Sequence, residues 1–214
     1  LRGRFSVIHT TWSLIKSLIY VCRFCNLVKP TALIGFGGYP AATSMAAAYL
    51  FRIPSVIHEQ NAVLGTVNRI FQNRANLLVF GIPPVQKQSR IGPTLVLGNP
   101  IRQSVLQETP VDYFALHAQP FCILVMGGSQ GANFVSSIAC EAILNLPKKV
   151  RQKVRVLHQC RKEDIWEIKE KYGASNIEYE IKSFFKDISV CLNKAHLVIS
   201  RAGASSLSEL CIFG

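Results

Sequence analysis

Short apolar, β-branched runs alternate along this chain with segments of helical period, and that alternation limits the fold more than any other feature. "TALIGF", "PSVIH", "NLLVF" and "TLVLG" are strand-like, as are "FCILVM", "KVRVLHQ", "NIEYEI" and "HLVIS". Between them lie an Ala-rich helical segment at 41–51, another at 64–72, and one running to about residue 146. Further segments follow at 162–172, 186–194 and 205–213. Strands that are apolar throughout are buried on both faces. Strands that take turns with helices build parallel sheets with helices on both sides. The predicted fold class is therefore α/β. Ahead of the first strand, residues 12–28 place apolar side chains at 15, 18, 19, 22 and 25, a helical period.

The 214 residues suffice for two modest domains. Pro100, Pro110 and Pro120 punctuate the middle of the chain. The expected division is a first domain over 1–105, a linker over 106–120 and a second domain over 121–214. Charge supports it. Of the 24 Lys and Arg and 12 Asp and Glu, residues 1–111 hold 11 basic and 2 acidic, leaving 13 and 10 for residues 112–214. A first half at +9 out of a total of +12 calls for an anionic partner. Zinc-finger, helix-turn-helix and aromatic-flanked basic signatures are absent, so nucleic acid is not expected and lipid or phosphate is. The helical segment at 12–28 is interrupted by Lys16 and Arg23 and is too short and too charged to cross a bilayer. It either packs on a sheet or lies on an anionic membrane surface. Seven scattered cysteines match reduced thiols of a cytosolic protein, and Cys22-x-x-Cys25 lacks the second pair a zinc site needs. No signal peptide opens the chain, and both ends look cut.

Three strand-to-helix junctions carry the chemistry. In "MGGSQGAN", Gly127, Gly128 and Gly131 allow a tight turn, free N–H groups at the following helix face an anion, and Ser129 and Gln130 add hydrogen bonds. The spacing matches neither the dinucleotide fingerprint nor a Walker A loop. "GFGGYP" is a second glycine turn, ending on Tyr39, without a charged side chain. In "ISRAGASSLSEL", Arg201 can hold a phosphate and Glu209 can accept two sugar hydroxyls, or Ser206 and Glu209 form a capping box. Arg102 in "GNPIR" projects from a turn at a helix start. "IHEQN" ends an apolar strand in four polar side chains. Nothing in the sequence has metal-ligand spacing, so neither metal nor cofactor is expected.

"GFGGYP", "IPSVIHEQNAVLGTVNR", "GNPIR", "GGSQGA" and "SRAGASSLSEL" follow one another in the order and approximate spacing of the MurG family, and the resemblance covers nearly all of the chain. That resemblance implies two Rossmann-like domains of GT-B glycosyltransferase type, both incomplete here, with an active site in the cleft between them. It implies transfer of N-acetylglucosamine from UDP-N-acetylglucosamine to the 4-hydroxyl of the muramyl sugar of lipid I. The configuration inverts, and no metal is required. Donor-binding residues would be Arg102, Gly128, Ser129, Gln130, Gly131, Phe185, Arg201 and Glu209, with Glu209 on the ribose and Phe185 at uracil. His58, Glu59 and Asn61 would be catalytic, and Tyr39, Asn61 and Asn68 would face the acceptor. The family's usual site is the cytoplasmic face of the bacterial inner membrane. Its histidine-bearing glycine loop and a later glutamine-bearing segment do not occur here, so this stretch alone is expected to be inactive. Two alternatives stay open: another GT-B transferase with a lipid acceptor, and a non-catalytic binding half of a split transferase.

Overall fold

The computed structural model describes residues 2–85, 92–110, 120–127 and 133–213, with the side chains of 2–11 left aside. The chain forms two compact units, Leu1–Pro100 and Ile101–Gly214.

The first unit opens with helix α1 (Arg2–Val28). Strand β1 (Leu33–Gly35), helix α2 (Gly38–Leu50), β2 (Ser55–Glu59), helix α3 (Thr66–Phe71), β3 (Leu77–Phe80) and β4 (Thr94–Val96) follow. The four strands form one parallel sheet in sequential order. Met45, Ile57, Leu64, Ala75, Leu78 and Phe80 make its core. The small residues of α2 let it lie close: a Cβ on Gly35 would come within 2.8 Å of the Met45 sulfur. The first helix packs along one side only. Cys25 is buried and Ser17 meets Thr43 of α2 at 3.3 Å, while Trp12, Ile15, Ile19, Tyr20, Phe24 and Leu27 are exposed.

The second unit contains α4 (Gln103–Leu106), β5 (Phe121–Met126), α5 (Asn133–Leu144), α6 (Lys148–Arg151) and β6 (Val154–Gln159). A 3-10 turn (Lys162–Asp164) leads into α7 (Ile165–Gly173), then β7 (Glu178–Lys182), α8 (Ile188–Lys194), β8 (Leu197–Ser200) and α9 (Ala204–Phe213). Its sheet is also parallel, in the order β7-β6-β5-β8. β5 shows why its run is apolar throughout. Ile123 and Val125 enter the core beneath α5 and α7, and Cys122 and Leu124 enter the core on the opposite face with α8.

The first unit ends at Pro100, a few residues before the expected boundary at 105. The reason is packing: Val105 of α4 is fully buried in the second unit, and Thr109 O accepts from Asn193 Nδ2 at 3.1 Å. Most of the expected linker, residues 111–119, lies outside the described residues. All seven cysteines are free thiols. Burial raises the pKa of Cys122, Cys140 and Cys191, and pushes Cys160 up to about 11.

Candidate functional site

In the first unit the polar residues at the carboxyl end of β2 are organised around one carboxylate. Glu59 is the sole acidic residue among residues 1–100, and it is only 4% exposed. Its Oε1 accepts from the backbone N–H and the Nδ2 of Asn61, both at 3.1 Å. Its Oε2 accepts from the Gly65 N–H and from Asn68 Nδ2, both at 2.8 Å. Burial by itself would raise the pKa, but the bonds from Gly65, Asn68 and Asn61 outweigh it and hold the carboxyl below its ordinary value. A carboxylate bonded in this way is a poor proton acceptor, against the expectation that placed Glu59 among the reacting groups.

His58, the preceding residue, points to the other face of the sheet, as strand alternation requires. Its Nε2 lies 3.1 Å from the Gly98 carbonyl, so Nε2 carries the proton and donates. Nδ1 therefore keeps its lone pair, and it is buried without a partner among the described residues. Phe36, just after β1, packs against the ring at 5.4 Å between centroids. Asn61 and Tyr39 are exposed. Asn68, expected to face a ligand, is 2% exposed, with its Nδ2 end on Glu59 and its Oδ1 end against the Gly37 turn.

The glycine turn before α2 is built for close approach. Gly37 and Gly38 have φ of +81° and +74°, backbone that side chains rarely adopt. A Cβ on Gly37 would sit 2.9 Å from Asn68 Nδ2, so that turn and the Glu59 cluster are in contact.

The second unit offers a crevice by its topology. From β5 the chain steps outward to β6 and β7, then returns past β5 to β8, with α5 and α7 on one face and α8 and α9 on the other. Such a reversal opens a crevice at the carboxyl ends of the two central strands. Met126 and Ser200 pair across it, so Gly127 and Arg201 leave the two strands side by side. Arg201 is exposed at that edge and Gly203 leads into α9. Gly128, Ser129, Gln130 and Gly131 lie outside the described residues.

Arg102, just before α4, grips Glu209 of α9 through two bonds, Nε to Oε1 at 2.6 Å and Nη2 to Oε2 at 2.5 Å. The hydrogen bonding to Glu209 is the first reason that the arginine holds its proton more tightly than usual. The two expected donor-side residues are thus brought together across 107 positions of sequence. The capping-box alternative is overturned. α9 begins at Ala204, so Ser206 lies inside the helix, and Glu209 turns sideways to Arg102 rather than back to the helix start. Phe185 needs correction as an aromatic surface for a base. Its ring is 3% exposed in the core with Leu124, Leu157 and Ile188, because α8 folds down beside it; the exposed ring is Phe184, at 61%.

One buried network lay outside the sequence reading. His158 of β6 is fully buried, with Nε2 at 2.6 Å from Ser136 Oγ and Nδ1 at 3.0 Å from Tyr172 OH. Ser136 stands in the first turn of α5, directly after the glycine loop. A neutral imidazole has one donor and one acceptor, and this network uses both. Among the described residues no group of His, Cys, Asp and Glu could hold a metal ion.

Two family models match this chain: the N-terminal domain of glycosyltransferase family 28 over residues 2–79 and its C-terminal domain over residues 122–214. A relative from Paramagnetospirillum magneticum is 38% identical over 216 residues, covering 100% of this chain and 58% of its own length. One from Erythrobacter litoralis is 41% identical, covering 90% of this chain and 49% of itself. Both are named UDP-N-acetylglucosamine–N-acetylmuramyl-(pentapeptide) pyrophosphoryl-undecaprenol N-acetylglucosamine transferase. Among solved structures, MurG from Acinetobacter baumannii superposes with a TM-score of 0.68 at 28% identity, over 94% of this chain and 55% of that one. A Staphylococcus aureus MnaA–UDP structure, with a TM-score of 0.62 at 12% identity, shares the fold. The chain spans about half the length of the curated relatives it matches.

Proposed function

The chain belongs to glycosyltransferase family 28, and from that premise we propose that it serves in transfer of N-acetylglucosamine from UDP-N-acetylglucosamine to the muramyl 4-hydroxyl of lipid I. The observation that carries this reading is the likeness, across both units, to relatives named for that transfer. On this reading the first unit belongs to the acceptor domain and the second unit to the donor domain.

The division of labour follows from the two sites. The crevice of the second unit takes the nucleotide. Glu209 accepts from the ribose hydroxyls, and Arg201 and Arg102 lie near the diphosphate with the loop at 128–131. Phe184 and the backbone around Phe185 border the uracil. The first unit takes the acceptor beside Tyr39, Asn61 and Asn68. A base removes the proton of the 4-hydroxyl, and the oxygen attacks the anomeric carbon from the face opposite the leaving group. The bond to the diphosphate breaks and UDP departs. Negative charge grows on that diphosphate, where fixed N–H groups and guanidinium stabilise it most. Among the described residues His58 leaves Nδ1 without a partner, and Gly98 O would hold the imidazolium at Nε2 if that nitrogen took the proton. The test offers lipid I and diacylglycerol to the full-length enzyme with UDP-N-acetylglucosamine. UDP release with lipid I is expected, and turnover with diacylglycerol alone would overturn the reading.

Attachment to the cytoplasmic face of an anionic inner membrane is the second part of the proposal. Residues 1–100 hold ten Lys and Arg, and their one acidic residue is buried, so no carboxylate side chain of that unit faces solvent. α1 adds exposed Trp12, Tyr20, Phe24 and Leu27, with Lys16 over the Trp12 ring. Among the described residues no helix is long and apolar enough to cross a membrane. Binding to vesicles with anionic lipid should exceed binding to neutral ones and fall with salt. Equal binding to both would refute it.

A further inference from the structure

We propose that Glu59 is a positioning residue: its carboxylate fixes the side-chain amides of Asn61 and Asn68 so that both present their carbonyl oxygens to the hydroxyl and amide N–H groups of the ligand. This deepens the reading above and rests on it for the identity of that ligand.

A carboxylate is acceptor-only when ionised, with two lone pairs on each oxygen. Four N–H groups approach Glu59, two to each oxygen, so its capacity is filled. Two consequences follow. The first is that the loop from Gln60 to Gly65 is wrapped around one anion, which sets the start of α3. The second concerns the amides. The two ends of an Asn side chain usually compete for either orientation. Here an anion demands the NH2 end from both Asn61 and Asn68, so each Oδ1 must face away from Glu59.

Those oxygens differ in surroundings. Asn61 is exposed at the edge of the sheet. Asn68 Oδ1 is buried and has no partner among the described residues. It lies against the glycine turn ahead of α2, where a Cβ on Gly37 would be 3.3 Å from it. A buried acceptor kept without a donor, beside a turn stripped of side chains, suits a group that arrives carrying a proton. Sugar hydroxyls and acetamido or peptide N–H groups carry one, and a phosphate dianion does not.

The test has an arm that needs no activity. In nitrogen-resolved NMR of the 214-residue chain, the Asn68 side-chain amide protons should exchange slowly and lie apart from free asparagine. In E59Q, which sets a donor against donors, the Asn61 and Asn68 amide signals should move and exchange faster while the rest of the spectrum persists. Free-like Asn68 signals in the unmutated chain would overturn the proposal even if E59Q failed to fold. Added N-acetylmuramic acid should shift the Asn68 amide and inorganic phosphate should not; the reverse, or no shift with the saturating sugar, would overturn the ligand class. In the full-length enzyme, E59Q and N68A should each lower kcat/KM for lipid I by roughly 10²-fold, the loss typical of a misplaced reactant. KM for UDP-N-acetylglucosamine should stay unchanged, and the double variant should be no worse than the poorer single one. The pH profile of E59Q should keep both limbs of the unmutated enzyme. Loss of the acidic limb, or additive losses, would make Glu59 a base or an independent contact instead. An unmutated enzyme inactive on lipid I would sink the proposed reaction while leaving the amide arm standing.

Discussion

Acid should loosen the second unit through a single histidine. Burial, with no charged neighbour contributing, lowers the pKa of His158 from 6.5 to about 4. The ring is fully enclosed between β6, α5 and α7. Both flanking hydroxyls, of Ser136 and Tyr172, can turn to accept from an imidazolium, so the penalty is the removal of charge from water. The sign follows from which state binds the proton first. As pH falls below 6.5 the unfolded chain takes it while the folded chain refuses it. Stability from this source is complete above that pH and is lost between 6.5 and 4. The full span is about 3 kcal/mol, at roughly 1.4 kcal/mol for each pH unit between 6.5 and 4, and about 2 kcal/mol of it is gone by pH 5.

Urea unfolding measures this directly. Trp166 sits on α7, the helix that carries Tyr172, and Trp12 is the only other tryptophan. W12F therefore leaves one fluorescent reporter, in the second unit. Between pH 7.5 and 5 this protein should lose about 2 kcal/mol more than its H158N derivative, in which carboxylate titrations still operate and cancel in the comparison. Y172F should keep the slope, since it removes a hydrogen bond and leaves the buried ring. Parallel pH curves for the protein and H158N would refute the argument. Because Ser136 stands in the first turn of α5, the proposed UDP binding should weaken over the same pH range by calorimetry.

Three further results are expected. R102A should weaken UDP binding several-fold by calorimetry, because Glu209 loses the guanidinium fork that orients it, a pair worth about 1 kcal/mol with half of the arginine side chain in solvent; R102K should recover little of it, since lysine cannot match the fork. G37A should destabilise the first unit more than G98A in thermal unfolding. Both positions have positive φ, a strain of about 1–2 kcal/mol, but only at Gly37 does the new Cβ meet a side chain, Asn68 at 2.9 Å; equal losses would contradict the contact. A disulfide reagent should label exposed Cys211 rapidly and Cys160 hardly at all, with C211S removing the fast phase.

The strands and most helices were legible because each satisfies a local rule. The apolar run at 121–126 needs two buried faces, and the sheet supplies them. What was not legible is what depends on partners distant in sequence. Ser206 and Glu209 fit a capping box by spacing, and only a guanidinium from position 102 turns that carboxylate aside. Phe185 and Phe184 are equal as letters, and the docking of α8 decides which ring is core and which is surface. Glu59 is the instructive case, because a signal existed and pointed elsewhere. Its place at the end of a strand suggested a reacting acid. Yet it is the single acid of its unit, with Asn two and nine residues on and Gly six residues on, all of them donors within one loop and the helix that follows. An isolated carboxylate that must be buried in a basic unit gathers N–H groups, and a carboxylate so gathered holds its neighbours in place more readily than it takes a proton.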